Sequence, residues 1–336
     1  MGFLFMRRIA NKEHNIFIAN GVAMHKPTKP APSSLLQPLH ETIHDKMTTR
    51  YREVEQLLHR LIGTPFFAES GFILYNGNCT DFLETLKGHD IAFDLTITSP
   101  PYNIGKEYEK PMSVEKYIDW CSRWIRQIHE VSSVNSAFWL NVGYFEVPEK
   151  GLCVPIPYLL WDKTPFYLLQ EIVWAYGAGV TTKQRLSPRN EKWLFYVKNP
   201  NHYTFNLDDV RDPNVKYPNQ KKNGKFRCNP LGKNPSDVWE FPKVTTGQDR
   251  SSKERTGHPA QFPLSVIERI VKVSSNVADV VLDPFAGSCS TGIASIGLGR
   301  VFVGFEIRRD YCQLAVDRFI KYNSERQTAQ LQSALF

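Results

Sequence analysis

Val280-Val281-Leu282-Asp283-Pro284-Phe285-Ala286-Gly287-Ser288-Cys289-Ser290-Thr291-Gly292 decides the fold: a strand, a turn of small residues and the start of a helix. A crossover of this kind lets a ligand approach backbone closely at the C-terminal edge of a parallel sheet. Glu306, 23 residues beyond Asp283, ends the next apolar run, where an acidic side chain can accept both hydroxyls of a ribose. The spacing fits an adenosine-containing ligand. It does not fit a dinucleotide, since G-x-G-x-x-G is absent and nothing else marks a pyrophosphate cradle.

Outward from this stretch the chain alternates strands and helices. A helix is predicted over Leu264 to Val273, a strand over Val277 to Leu282, a helix over Thr291 to Leu298 and a strand over Val301 to Phe305. Upstream, Phe72 to Tyr75 reads as a strand, Asp81 to Leu86 as a helix and Phe93 to Thr98 as a buried strand. That strand runs straight into Ser99-Pro100-Pro101-Tyr102, which therefore sits at a strand's C-terminal end. Ser113 to Ser132 reads as a helix capped by Ser113, with a stripe of Tyr117, Trp120, Trp124 and Ile128 that belongs to the core. Further strands are expected over Ser136 to Val142, Glu171 to Tyr176 and Lys192 to Lys198.

After Asn199 the regular pattern fails for about sixty residues rich in Asn, Pro, Lys and Gly, interleaved with aromatics from Tyr203 to Phe241. Residues 1 to 35 read as a loose leader, followed by one amphipathic helix from Leu39 to Leu61. The expected organisation is an N-terminal extension (1–68), a first half of the α/β domain (69–198), an inserted region (199–257) and a second half (258–336).

Composition narrows the classes. The chain has 336 residues, 42% hydrophobic and 22% charged, as in a soluble globular protein. No apolar run approaches the roughly 18 to 20 residues of a membrane span. Met1 to Met6 precede Arg7 and Arg8, the reverse of a secretory signal, and Met6 stands where a myristoylation pattern wants Ser or Thr. Six cysteines are spread without a C-x-x-C pair, which suggests reduced thiols in a cytoplasmic protein and neither a zinc site nor disulfides. The net charge of +7 is uneven: Lys183 to Gly257 holds 16 Lys and Arg against 8 Asp and Glu. Such a surplus reads as a solvated loop region or, more sharply, as a surface for a polyanion.

Ser-Pro-Pro-Tyr alone is an ordinary turn. Together with Asp283-Pro284-Phe285-Ala286-Gly287-Ser288 it resembles the paired motifs of the amino-group DNA methyltransferases, the N4-cytosine and N6-adenine family. The resemblance spans roughly residues 72 to 321. It implies a Rossmann-like methyltransferase fold with a mixed seven-stranded sheet, S-adenosylmethionine as cofactor and double-stranded DNA as partner. A cofactor without a pyrophosphate accounts for the missing glycine fingerprint. His258-Pro259-Ala260-Gln261-Phe262-Pro263 is similar to the family's additional cofactor-pocket motif. Asn76-Gly77-Asn78-Cys79 is similar to its Asn-Gly-Asp-Cys type turn, with Asn78 in place of the acid. The implied cofactor contacts are Asn78, Cys79, His258, Pro259, Phe262, Asp283, Pro284, Phe285, Gly287, Ser288 and Glu306. The catalytic motif precedes the basic insertion and the cofactor motif follows it, the order of the permuted β group, whose target-recognition region lies between the two. This makes Arg211, Lys221, Lys222, Lys225, Arg227, Arg250, Lys253 and Arg255 candidate DNA contacts, with Arg185 and Arg189, also candidate DNA contacts, and Glu191 loosely matching a family segment beside the modified base.

The residues suit the reaction on chemical grounds. An exocyclic amino nitrogen shares its lone pair with the ring and is a poor nucleophile until acceptors hold its hydrogens. Ser99 Oγ and the Pro100 carbonyl can be those acceptors. Pro100 and Pro101 fix the turn and have no N–H of their own, and Tyr102 offers a stacking face to a base drawn out of the helix. C5-cytosine methylation needs a cysteine nucleophile, usually after Pro, and no Pro-Cys occurs. Ser at the first motif position resembles N4-cytosine enzymes, whereas N6-adenine enzymes more often carry Asp. The reading is therefore an N4-cytosine methyltransferase of a restriction-modification system, monomeric or homodimeric, with a companion restriction endonuclease. The alternatives are the adenine-N6 reaction and a catalytically silent DNA-binding module.

Overall fold

The computed structural model describes residues 33–103, 112–147, 150–177, 179, 181–245 and 252–334. The described residues fall into two units, 33–40 and 41–334. The first is helical. The expected leader thus lies outside the described residues up to 32, while Ser33 already belongs to helix α1 (Ser33–Ile62).

The second unit takes in α1 from residue 41 onward and then alternates elements in chain order. Strands β1 (Phe67–Glu69) and β2 (Phe72–Asn76) are followed by α2 (Cys79–Leu86), β3 (Phe93–Thr98), α3 (Val114–Glu130) and β4 (Ser132–Val142). A hairpin, β5 (Tyr144–Val147) with β6 (Gly151–Pro155), leads through α4 (Ile156–Leu160) to β7 (Tyr167–Ala175) and β8 (Asn190–Val197). The insertion contributes the small hairpin β9 (Lys221–Lys222) with β10 (Lys225–Phe226), and then β11 (Val238–Glu240). The chain closes with α5 (Leu264–Ser274), β12 (Val280–Asp283), α6 (Ser290–Gly297), β13 (Val301–Glu306) and α7 (Arg309–Ala334).

One sheet carries the unit, in the order β1-β2-β13-β12-β3-β4-β8-β7-β11. From β2 to β7 it is the expected seven-stranded mixed sheet, in which β8 runs antiparallel to both β4 and β7. Among the described residues the count rises to nine because two three-residue strands add to its edges, β1 antiparallel to β2 and β11 parallel to β7. Three residues are too few to show a period of two in sequence.

Strand alternation divides the core between the two faces of the sheet. Phe93, Phe138, Leu140, Val280 and Leu282 pack toward Val54 and Leu58 of α1, Leu83 of α2 and Trp124 and Ile128 of α3. The intervening Leu95, Ile97, Ala137, Trp139 and Val281 pack toward Val266, Ile267 and Ile270 of α5. The α3 stripe behaves as expected for Tyr117, Trp124 and Ile128, which are fully buried, and Ser113 Oγ accepts from the Lys116 backbone as the N-cap. Among the described residues no helix is long and apolar enough to cross a membrane.

Candidate active site

Four parallel strands end at one edge of the sheet: β2 at Asn76, β13 at Glu306, β12 at Asp283 and β3 at Thr98. Loops leaving that edge enclose a cavity of about 680 Å³, within the size range of small-molecule and cofactor sites. Every residue that the sequence put forward as catalytic or cofactor-binding lines it, so segments more than 180 positions apart in sequence meet in one place.

The cofactor half is tied together by hydrogen bonds. Asp283 is buried, with Oδ1 accepting from Thr98 Oγ1 at 2.7 Å and from the Phe285 backbone at 3.2 Å, and Oδ2 from Thr291 Oγ1 at 2.7 Å. Burial pushes its carboxyl up to about 6, against these three donors. Glu306 is oriented by backbone N–H groups, Gly287 to Oε2 at 2.9 Å and Arg308 to Oε1 at 2.8 Å. Each of those oxygens keeps a second lone pair, so the carboxylate is held in place and can still accept from a diol. Burial raises it above the usual carboxylate range. Gly287 has φ +50°, and a Cβ there would stand 2.9 Å from His258 Nε2. The His258 ring in turn takes the Ala260 N–H at 3.2 Å on Nδ1 and meets the Tyr311 ring at 4.4 Å. Burial lowers its pKa to about 4, so it is neutral near pH 7. Asn78 lines the cavity while its Oδ1 caps α2 through the Thr80 N–H at 3.2 Å, and burial pushes the Cys79 thiol up to about 12. Phe285 rests against Trp120 and Trp124 at 5.7 and 5.1 Å.

At the other end, Ser99 Oγ donates to Tyr102 OH at 3.0 Å, and Tyr102 OH donates to Asn141 Oδ1. Asn141 Nδ2 is anchored on the Lys192 carbonyl at 3.1 Å. Because the chain runs outward from Ser99, its hydroxyl hydrogen is committed and its lone pairs are what it presents. The Tyr117 hydroxyl donates to the Pro101 carbonyl at 2.8 Å and braces the turn from α3.

Several lining residues were not singled out by sequence. Asn141 stands among the apolar residues of β4, where a polar residue near the strand's end was the available signal. Trp120, expected in the core, lines the cavity. Trp174 and Lys243 line it as well, together with Glu191, which the resemblance had loosely matched to a segment beside the modified base. Lys243 Nζ meets Glu191 Oε1 at 2.6 Å and lies 3.9 Å from the Tyr176 ring centroid. Burial works against the Lys243 charge, but the Glu191 carboxylate beside it prevails and holds the ammonium above the usual lysine range.

The proposed DNA contacts divide. Lys221, Lys222, Lys225 and Arg227 are exposed on and beside the β9–β10 hairpin, and Arg185, Lys253 and Arg255 are exposed as well. Arg189 folds back to donate to the Pro188 carbonyl at 2.9 Å. Arg211 is drawn inward, its side chain 15% exposed and bonded to Asp208 and the Gly232 carbonyl, which suits a brace of the insertion better than a phosphate contact. Arg250 lies outside the described residues. Among the described residues no cluster of three or more His, Cys, Asp or Glu is placed to hold a metal ion, and all six cysteines are free.

The DNA methylase family of N6 and N4 methyltransferases matches residues 93–317. Type II methyltransferase M.ScaI of Streptomyces caespitosus is 56% identical over 272 residues, 81% of this chain and 88% of that protein. DNA adenine methyltransferase YhdJ of Escherichia coli K12 is 34% identical over 237 residues, 68% of this chain and 76% of that one. Among solved structures, PvuII DNA methyltransferase (cytosine-N4-specific) superposes with a TM-score of 0.59 over 76% of this chain and 88% of that one, at 19% identity, a likeness of fold. Paired motifs meeting at one sheet edge, a match across most of the sheet and a relative more than half identical lead to one conclusion: the chain belongs to the DNA methylase family of N6 and N4 methyltransferases.

Proposed function

We propose that this DNA methylase is a site-specific type II methyltransferase that acts in the cytoplasm and modifies the exocyclic N4 of cytosine in duplex DNA. S-adenosylmethionine is the methyl donor. The residues present fit it: Gly287 leaves open the space that a Cβ would fill beside His258, Glu306 is held with acceptor capacity for a ribose, and Phe285 and Ile307 line the same wall. When bound, the cofactor supplies an electrophilic methyl group on a sulfonium.

The observation that carries the reading is the outward hydrogen-bond chain from Ser99 through Tyr102 to Asn141. It leaves Ser99 Oγ as an acceptor for an amino hydrogen, beside the Pro100 carbonyl, which is a second. Two acceptors on one amino group draw its nitrogen toward a tetrahedral shape and localise the lone pair that attacks. Holding that nitrogen near the cofactor end supplies much of the remaining rate through positioning.

Ser99 favours cytosine, since the hydroxyl is the group that the resembling N4 enzymes carry there. The adenine-N6 reaction is the second reading, favoured by the 34% identity to an adenine methyltransferase. Mass spectrometry of nucleosides from treated DNA decides: N4-methylcytosine is expected, and N6-methyladenine alone would falsify the cytosine reading. A silent binding module would have no use for the cavity, and binding of labelled S-adenosylmethionine separates it from an enzyme. The exposed cations of residues 199–257 serve target recognition in this reading, and a companion restriction endonuclease cuts the same sequence when unmethylated.

A further inference from the structure

Lys243 comes from the insertion and not from either paired motif, yet it lines the same cavity as Ser99, and its partner Glu191 precedes Lys192, whose carbonyl holds the Asn141 that ends the Ser99–Tyr102–Asn141 chain. Its backbone is carried there by the sheet. β11 pairs in parallel with β7, Trp239 opposite Trp174 and Glu240 opposite Ala175, and Trp174 Nε1 donates to the Phe241 carbonyl at 2.9 Å. Arg269 lies over the Phe241 ring at 4.6 Å and fixes the same stretch from α5. Two residues later the chain delivers Lys243 against Glu191 and Tyr176.

This ion pair is withdrawn from solvent, the two side chains being 28% and 18% exposed. Such a pair is often no more stabilising than well-packed apolar residues of the same volume, so its stability does not account for its place in the wall. An ammonium has three N–H donors. Among the described residues Lys243 is engaged by the Glu191 carboxylate and the Tyr176 hydroxyl and lies over the rings of Tyr176 and Trp174, which leaves one of its three donors for a ligand in the cavity it lines.

The chemistry of the bases says what such a donor can read. Next to the amino group, cytosine and adenine both present a bare ring nitrogen, an acceptor. Guanine and thymine carry a carbonyl in place of that amino group and an N–H in place of that acceptor, which an ammonium opposes. We propose that Lys243 is a specificity-determining residue of this enzyme: held by Glu191, its ammonium donates to the ring nitrogen adjacent to the amino group received by Ser99. The proposal rests on the reading of Ser99 given above. A site built to donate to one atom rejects bases lacking the matching acceptor more strongly than an apolar pocket can.

The test is a cycle between protein and substrate. Initial rates are measured for the parent and for the double variant Glu191→Gln/Lys243→Met, which leaves no buried charge unpaired. The duplex contains either the natural target base or its deaza analogue, 3-deazacytosine or 1-deazaadenine according to the base found modified. The expected result is a loss of about 10- to 100-fold in kcat/KM for the parent on the deaza duplex, as for one well-made base contact, and a loss below about 3-fold for the variant. Equal losses in parent and variant would overturn the assignment. A parent that methylates the deaza duplex as fast as the natural one overturns it without any variant. A parent that methylates no natural duplex at all overturns the proposed function instead, and labelled S-adenosylmethionine binding by the variant shows that it is folded.

Discussion

Thr98 donates to Asp283 across 185 positions of sequence, Oγ1 to Oδ1 at 2.7 Å, and so fastens the residue before Ser99 to the start of the cofactor turn. The bond is buried, and losing one partner of a buried bond to a charged group costs about 1 to 3 kcal/mol. Thr98→Val is therefore expected to lower stability by that amount near pH 7, read from urea midpoints. The pH sign follows from Asp283, whose carboxyl is pushed up to about 6 by burial. The folded state takes up this proton at a higher pH than the unfolded chain does, so Asp283 adds stability as pH falls through about 6 and loses it as pH rises. Below that value a protonated Asp283 needs its donors less, and the penalty of Thr98→Val shrinks.

Ser99→Ala removes one acceptor for the amino group and leaves the cofactor half intact. A drop of about 100- to 1000-fold in kcat is expected, with cofactor affinity unchanged by equilibrium binding. Tyr102→Phe breaks the link between Ser99 and Asn141. Its smaller loss in kcat should appear without a matching rise in KM for S-adenosylmethionine.

Gly287→Ala places a methyl group 2.9 Å from His258 Nε2 at a residue with φ +50°. The left-handed backbone alone costs about 1 to 2 kcal/mol with a side chain, and the methyl group enters the space assigned to the cofactor. Calorimetry should show weakened S-adenosylmethionine binding, whereas DNA binding without cofactor should be little changed.

Lys221, Lys222 and Lys225 stand exposed on one small hairpin. If all three meet phosphates, replacing them by Ala lowers the steepness of log affinity against log salt by about 0.9 for each, or roughly 3 in total. Arg211→Ala should instead reduce stability, because its guanidinium is spent on Asp208 and Gly232. Fluorescence anisotropy across a salt series, with thermal melts alongside, separates the two behaviours.

The two motifs were legible because each lies where an apolar strand stops, at Thr98 and at Asp283, and the strand pattern is strong enough to place both at one sheet edge. Other parts left weaker marks. Asn141 interrupts an apolar run by a single residue, and nothing in sequence says it will meet Tyr102. Lys243 sits in irregular chain, and its position depends on the three residues of β11. Helix α7 buries Cys312, Ala315, Val316 and Phe319, but beyond Tyr322 it is almost wholly polar, so no sustained stripe announces its full length. Arg211 looked like any other cation of the basic segment, because a count of charge does not register which cations are already paired.

β11 also bears on how such enzymes can change their target. A recognition segment attached only at its ends could be exchanged between relatives like a cassette. Here the returning segment is an edge strand of the nine-stranded sheet, and its next residues deliver a cation to the wall of the cavity that Ser99 also lines. A graft that carries foreign sequence through residue 243 would alter the chamber as well as the surface proposed to face DNA. One that ends before Val238 would leave both β11 and Lys243 native, and that is the seam along which a chimera with new specificity and intact turnover would be cut.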